Sequence, residues 1–565
     1  MKSNSQKPKV LLTILPYWDP MIPPMGITTL KRYLEKRDYQ VKTVDLIVKK
    51  ECLDFYYNYF TLLENAIPLE KRGNFRNVGH DVLQNQMMAH INYTDETLYV
   101  DLIKDLIYKH YYVNVENDSI LGLVQLMKDF YIMLEAFFSE LINIEKPDVI
   151  GASVFKGTLP SSLFVLKLAK KINPSIKTII GGGTFNESHS PDSPSFDALL
   201  DISKDYLDKI IIGQGESLLY NYLEGNLDDS KRVYTYEDIG GKILSFEELE
   251  LPDFSDLDLK VYPCLAATAS SSCYFECSFC VAKKVNGPYR KNDPKVVVSQ
   301  MKELSSKYGH QLFFMTDSLI NPAITDLANE FIKSDVTLYY DSYFKVDEPS
   351  GDYQNTFLWR KGGLYRVRLG IESGSPKILS EMNKLITIDQ IRASIKAFAL
   401  SGIKTTTYWV IGHPDETEED FQMTLDLIEE LKDDIYQAEC NYFLYHYSKQ
   451  AKEDEWAKYR MPLFPDKYDS MLTFKYWTLD KYPKREIAFE RVQRFVNHCR
   501  KLGVPNPYTI SEIYSADQRW KKLQKNAVPS LLEFKDFNRT IAECKDIVIP
   551  KYADNLRRDE ALFNL

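Results

Sequence analysis

Residues 264–280 read CLAATASSSCYFECSFC: a short apolar start, a run of small residues, then Cys273, Cys277 and Cys280 at the spacing Cys-x3-Cys-x2-Cys. Eight cysteines in 565 residues are too sparse for a secreted disulfide framework, yet three of them crowd into this one loop. Clustered thiols in a reducing compartment are read first as metal ligands or redox groups. Structural zinc wants four ligands, usually as two pairs, and no second Cys or His pair at metal spacing exists in the chain. Cys264 is a conceivable fourth ligand, but it precedes the predicted strand and should point to the other end of it. Iron–sulfur clusters are held by cysteine thiolates. Three thiolates leave one iron of a cubane open to a ligand with an amine and a carboxylate, which a four-cysteine electron carrier cannot take.

Working outward, the loop follows the first of six candidate strands: 264–269, 311–316, 337–342, 366–371, 405–411 and 437–444. Helices such as 294–306 and 323–333 fit between them, which predicts a partial barrel of about six strand–helix units over 263–450. Residues 226–262, with a charged run and a Leu251-Pro252-Asp253 turn, read as a linker. Before it lies a second α/β series. The strands are 9–15, 40–46, 148–154, 176–181 and 209–213, and the helices include 26–36 and 159–172. This makes a Rossmann-like domain over 1–225, interrupted at about 50–145 by an aromatic-rich helical insertion. The aromatics there are either core or a substrate-facing surface. In such sheets ligands sit at the carboxyl ends of the strands, where Ser153, Gly182, Gly183, Thr184 and Gly215 fall. Residues 451–565 read as a mostly helical C-terminal region, for example 484–501.

The composition, 44% hydrophobic and 27% charged, is that of a soluble globular protein. A formal net charge of −10 argues against a nucleic-acid partner. No stretch is apolar enough to span a bilayer, and the first apolar run is followed by no small-residue cleavage site. The chain therefore reads as cytoplasmic, with no membrane partner.

The cysteine loop, with Phe279 before its last cysteine, resembles that of the radical S-adenosylmethionine (SAM) superfamily. The likeness continues through Tyr289-Arg290, the strand end Phe313-Phe314-Met315-Thr316-Asp317-Ser318, and Leu369-Gly370-Ile371-Glu372-Ser373-Gly374-Ser375. It includes Ile411-Gly412-His413-Pro414-Asp415-Glu416-Thr417, where His413 and Asp415 replace the family's Phe and Gly. The resemblance implies a 4Fe-4S cluster on Cys273, Cys277 and Cys280. It implies S-adenosyl-L-methionine beside Phe279, Asp317, Glu372 and Ser373, and an electron donor such as flavodoxin or ferredoxin. The plainer readings are an ion pair of Glu372 with Arg366 or Arg368, and a helix cap or turn for Asp317.

An α/β domain ahead of such a barrel resembles the cobalamin-binding branch of the superfamily. The residues that carry this are Pro23-Pro24-Met25-Gly26-Ile27, Pro147-Asp148-Val149-Ile150-Gly151-Ala152-Ser153, Gly181-Gly182-Gly183-Thr184 and Gly213-Gln214-Gly215-Glu216. The resemblance implies cobalamin on Ser153, Gly182, Gly183, Thr184 and Gly215, where missing side chains allow close approach. Asp-x-His-x-x-Gly is absent, so that motif supplies no lower imidazole. The implied activity is a cobalamin-dependent methyltransferase acting on an unactivated carbon of a peptide or natural product, through a 5′-deoxyadenosyl radical. The alternative is a radical SAM epimerase, cyclase or rearrangement enzyme, for which Cys440 is the candidate hydrogen donor and an inert buried thiol the plainer reading. A third reading is a non-enzymatic protein that carries the cluster. A methylthiotransferase is disfavoured, because Cys52 stands alone ahead of the barrel.

Overall fold

The structure, a computed structural model, describes residues 7–16, 21–186, 188–334, 336–447, 450–507 and 509–534. It divides into two compact units. The first takes Met1–Tyr262, Phe279–Val285 and Leu444–Phe489; the second takes Pro263–Ser278, Asn286–Phe443 and Glu490–Leu565.

In the first unit, strands β1 (Val10–Ile14), β2 (Val41–Asp45), β3 (Val149–Ser153), β4 (Lys177–Gly181), β5 (Lys209–Ile211) and β6 (Val233–Tyr234) form one sheet in the order β2-β1-β3-β4-β5-β6. All neighbours are parallel. Val10 to Ile14 are all buried, as expected for a strand covered on both faces. Helices α1 (Met25–Glu35), α2 (Lys50–Ala66), α3 (Phe75–Asn92), α4 (Glu96–Tyr111), α5 (Asn117–Glu145), α6 (Leu159–Ile172), α7 (Pro194–Ile202) and α8 (Gly215–Leu223) complete it. Strand order reverses between β1 and β3, the crevice where open α/β sheets take ligands. The stretch expected as a linker supplies β6 instead, the outer strand of this sheet.

Helices α2 to α5 are the insertion. Their rings are mainly core: Tyr59, Phe60, Tyr99 and Tyr111 are fully buried, and Phe55 stacks on Phe130 at 4.2 Å. The region after residue 450 is not wholly a helical tail. Residues 444–489 return to the first unit, where Thr473 N donates to Asn85 Oδ1 at 2.9 Å.

In the second unit, β7 (Leu265–Ala267) is followed by β8 (Ser270–Ser271), which pairs antiparallel with β9 (Arg290–Lys291). Strands β10 (Leu312–Met315), β11 (Tyr339–Phe344), β12 (Leu364–Glu372), β13 (Lys404–Ile411) and β14 (Gln437–Tyr442) follow. The sheet order is β14-β13-β12-β11-β10-β7, parallel throughout. This is the expected six-strand partial barrel. Its helices are α9 (Ala282–Asn286), α10 (Pro294–Tyr308), α11 (Asn321–Lys333), α12 (Tyr353–Lys361), α13 (Pro376–Glu381), α14 (Ile388–Leu400) and α15 (Glu418–Leu431). Capping boxes start α14 at Thr387 and α15 at Thr417. After α16 (Glu453–Trp456) come α17 (Arg485–Leu502), α18 (Ile510–Leu523) and α19 (Leu531–Phe534). The rest of the predicted helical region, 535–565, lies outside the described residues.

The last described segment floors the barrel. Asp517 meets Lys404 Nζ at 2.5 Å and accepts from Tyr436 Oη at 2.8 Å, while Phe534 packs edge-on against Tyr339 and Tyr365. Gly402 takes φ +76 here, and a Cβ would run into Asn526 O at 1.8 Å.

Candidate cluster site and cofactor cavity

The cysteine loop leaves β8 at Ser272, a left-handed residue (φ 74) whose hydroxyl donates to Gly287 O. Three bonds then clip the loop to the end of α13. Ser278 N donates to Met382 O (2.9 Å), Ser278 Oγ to Glu381 O (3.2 Å), and Asn383 Nδ2 to Glu276 O (3.0 Å). The clip places Lys384, the next residue, so that its Nζ reaches Glu372 Oε1 at 2.7 Å. Glu372 sits at the carboxyl end of β12 with φ 68, where the register to β13 slips. A non-glycine residue held there is strained, and strain of this kind clusters at functional sites.

Cys277 is buried and Cys280 exposed. Burial pushes the Cys277 thiol up; Lys384 and then Lys345 pull it back toward the thiolate that a metal requires. Lys345 stands 3.3 Å over the Phe275 ring, and burial lowers its own pKa to about 8. Cys280 Sγ accepts from Ala282 N at 3.4 Å. Among the described residues no three Cys, His, Asp or Glu side chains converge on one point as a single ion requires. Three thiols on one loop are the kind of donor set that a cubane takes, one thiolate at each of three irons.

Asp317 follows β10 and is fully buried. Its Oδ2 accepts from Ala269 N at 3.1 Å, which fixes the approach to the cysteine loop, while Oδ1 has no partner among the described residues. Burial pushes its carboxyl up to about 6. It thus serves the turn and keeps one oxygen to offer. Neither Arg366 nor Arg368 pairs with Glu372; both turn to Asp341. Ser373 is 1% exposed, and its Oγ accepts from Ser375 N and lies 3.4 Å from Thr424 Oγ1, in the seam against α15. Phe279 is half-buried, and its carbonyl accepts from Gln450 Nε2 at 3.0 Å. Asp415 adopts φ 71, so it fills the turn position where the resemblance expects glycine. Cys440 is fully buried, in register with Trp409 and beside Cys499, while its neighbour Glu439 faces Arg368 and Arg366. Alternation along β14 therefore puts Cys440 on the face opposite to Glu439.

In the first unit a cavity of about 270 Å³ opens at the β1/β3 crevice. Its apolar wall includes Leu12, Ile179 and Leu219; Ser153, Thr29 and Glu216 supply polar groups. Gly26 and Gly215 leave it open, since a Cβ on Gly26 would stand 3.4 Å from Ser153 Oγ and one on Gly215 3.2 Å from Leu30. Ser153, Gly182 and Gly215 line it. Gly182 is glycine for another reason: at φ +130, a Cβ would strike Val154 O at 2.5 Å. Gly183 and Thr184 are not among the residues that line this cavity. Thr184 is buried and its hydroxyl donates to His189 Nδ1 at 3.1 Å, while His189 Nε2 donates to Thr473 O at 2.7 Å. The glycine rim and apolar wall, at about 270 Å³, suit one appendage of a larger cofactor and not the whole of it.

Sequence reasoning missed Lys345 and Lys384. A single lysine carries no spacing signal, and only the clip brings Lys384 back to Glu372. No helix among the described residues is long and apolar enough to cross a membrane.

Comparison with known proteins agrees with this geometry. Residues 269–428 match the family model described as the radical SAM superfamily. The chain is 26% identical over 323 residues to the anaerobic magnesium-protoporphyrin IX monomethyl ester cyclase of Rubrivivax gelatinosus, covering 52% of this chain and 56% of that one. It is 25% identical over 334 residues to an uncharacterized methyltransferase of Pyrococcus horikoshii, covering 53% and 68%. The chain thus spans little more than half the length of the first of these relatives. A solved structure of the radical S-adenosylmethionine methyltransferase TsrM from Kitasatospora setae, with cobalamin and a 4Fe-4S cluster bound, superposes with a TM-score of 0.56 at 14% identity. It covers 98% of this chain and 100% of that one. The chain carries a radical SAM domain at residues 269–428 and shares its fold with a radical SAM methyltransferase.

Proposed function

We propose that this protein is a cobalamin-dependent radical SAM methyltransferase acting on an unactivated carbon of a peptide or natural product. The observation that carries the reading is the convergence of Cys277, Glu372 and Lys384 at the carboxyl end of the barrel through the clip at 381–384. Cys273, Cys277 and Cys280 would hold the cluster, and Ser153, Gly182, Gly215 and the cavity walls would hold cobalamin. The chemistry supplied by these groups when bound is one-electron cleavage of S-adenosylmethionine and methyl donation.

The residues of the chain do the rest. Glu372, fixed by Lys384, and Asp317, through its free oxygen, present acceptors for the amino and hydroxyl groups of S-adenosylmethionine. Lys384 and Lys345 favour the thiolate at Cys277. A small flavodoxin- or ferredoxin-like protein is the proposed electron source. The burial and orientation of Cys440 weigh against the epimerase alternative.

The test is anaerobic reconstitution with iron, sulfide and hydroxocobalamin, followed by optical spectroscopy and measurement of 5′-deoxyadenosine. The expected result is a cluster band, about one corrinoid per chain, and 5′-deoxyadenosine that is lost in Cys277→Ala. A cluster without corrinoid would withdraw the methyltransferase reading. No cluster in the wild-type chain would remove the whole proposal.

A further inference from the structure

The interior of a parallel barrel is ordinarily filled by branched apolar side chains. Here its middle layer is charged. Arg366 Nε and Nη2 donate to Asp341 Oδ2 at 2.9 and 2.5 Å, and Arg368 Nη2 donates to the same oxygen at 2.9 Å. One carboxylate thus serves two guanidinium groups, and one positive charge is left over. Glu439, the other acid of this layer, forms no ion pair with either arginine among the described residues; its Oε1 accepts from Gln437 Nε2 instead, and burial shifts its carboxyl upward while both arginines act the other way. Deeper in the barrel, Lys404 is already matched by Asp517.

Arg368 is the arginine with donors to spare. Its Nη1 has the neutral Tyr408 hydroxyl at 3.2 Å, and its Nε has no partner among the described residues. The guanidinium lies 4.7 Å from the Phe314 ring centroid and 5.5 Å from that of Tyr343. The Tyr343 and Tyr408 rings face each other at 6.0 Å and 27°. The Arg368 side chain keeps 13% exposure although its Nε is buried, and Tyr343 beside it keeps 38%, so part of this side chain borders open space next to the Tyr343 ring. A buried arginine is costly unless its charge is met. A phenol at 3.2 Å is a weak acceptor, which an anion displaces with shorter, charge-assisted bonds. The Tyr408 hydroxyl, released, becomes a second donor to the same anion.

We infer that Arg368, with Tyr408, is the anchor for an oxyanion of the substrate, a carboxylate or a phosphate, seated beside the Tyr343 ring. This deepens the proposed function and rests on it only in taking the barrel lumen as the place of the substrate.

The test is calorimetric titration of the full chain, without cluster, using benzoate and phenyl phosphate as probes and benzamide and benzyl alcohol as neutral controls. At least one oxyanion is expected to bind, with the neutral probes about ten-fold weaker or worse. Arg368→Gln is expected to weaken that binding about ten- to hundred-fold, the measure of a hydrogen bond to a charged group. Arg368→Lys should keep part of it, and Glu439→Gln should keep all of it. Benzoate alone would assign a carboxylate, phenyl phosphate alone a phosphate, and both a general oxyanion site. Equal binding of charged and neutral probes, unchanged binding in Arg368→Gln, or no binding by any probe would overturn the inference. Should Arg368→Gln not fold, the wild-type preference and the Arg368→Lys loss decide. Cys277→Ala should bind the probes like wild type, so this result stands or falls separately from cluster assembly.

Discussion

Asp317 shows how a single side chain can be costly to the fold and useful to the site. Its carboxyl is pushed up to about 6 by burial, against an ordinary value of 3.8. The folded chain therefore holds this proton longer than the unfolded one. The associated stability is fully present below the unfolded value and is lost as pH rises through about 6, to the extent of ~2–3 kcal/mol. Asp317→Asn is expected to unfold at higher urea than wild type at pH 7.5, with the difference vanishing near pH 4. The same variant should lose SAM-dependent 5′-deoxyadenosine formation. At the other cavity, Gly26→Val should fill space beside Ser153 and abolish the corrinoid band while leaving the cluster band intact. The cysteine loop was legible because its residues are contiguous in sequence. The surroundings of Ser373, Thr184 and Cys440 were not legible, because alternation and strand-end position say that a side chain turns, and not what waits on that side. Lys345 and Lys384 were invisible because their partners are distant in sequence.

At the scale of elements, the apolar periodicity located nearly every strand and helix that was sought. Predicted strand 405–411 is Lys404–Ile411, and predicted helix 159–172 is Leu159–Ile172. What periodicity could not give was membership. Two residues, Val233 and Tyr234, are too short a strand to announce themselves, yet they complete the first sheet. Residues 444–489 pack with the first unit for reasons that lie in tertiary bonds such as that from Thr473 to Asn85. The clip between the cysteine loop and α13 belongs to this scale too. Both side chains of the Lys384–Glu372 pair are 8% exposed. Removing one partner of such a pair leaves a buried charge and costs about 3–5 kcal/mol. Lys384→Met is expected to lower metal-free stability by that order in urea unfolding, and Glu372→Gln combined with Lys384→Met should recover most of it.

At the scale of the whole molecule, two parallel α/β units each keep their chemistry at strand carboxyl ends, and the second is closed at its other end by residues from far along the chain. Asp517→Asn should destabilise the second unit by about 3–5 kcal/mol, because Lys404, whose pKa burial lowers to about 8, loses the carboxylate that holds its proton; calorimetric unfolding would register this as an early transition. The floor also has a bearing on how the molecule comes into being. A ribosome delivers the six barrel strands before it delivers Asp517, Trp520 or Phe534. Through that interval the nascent barrel carries Lys404 unanswered and the Tyr339 and Tyr365 rings uncovered. The strands can pair during synthesis, yet the barrel is finished only when the segment from Asp517 to Phe534 has emerged. A ribosome-stalled chain ending near residue 505 should therefore stay protease-sensitive across its barrel, while one that has released residue 534 should resist.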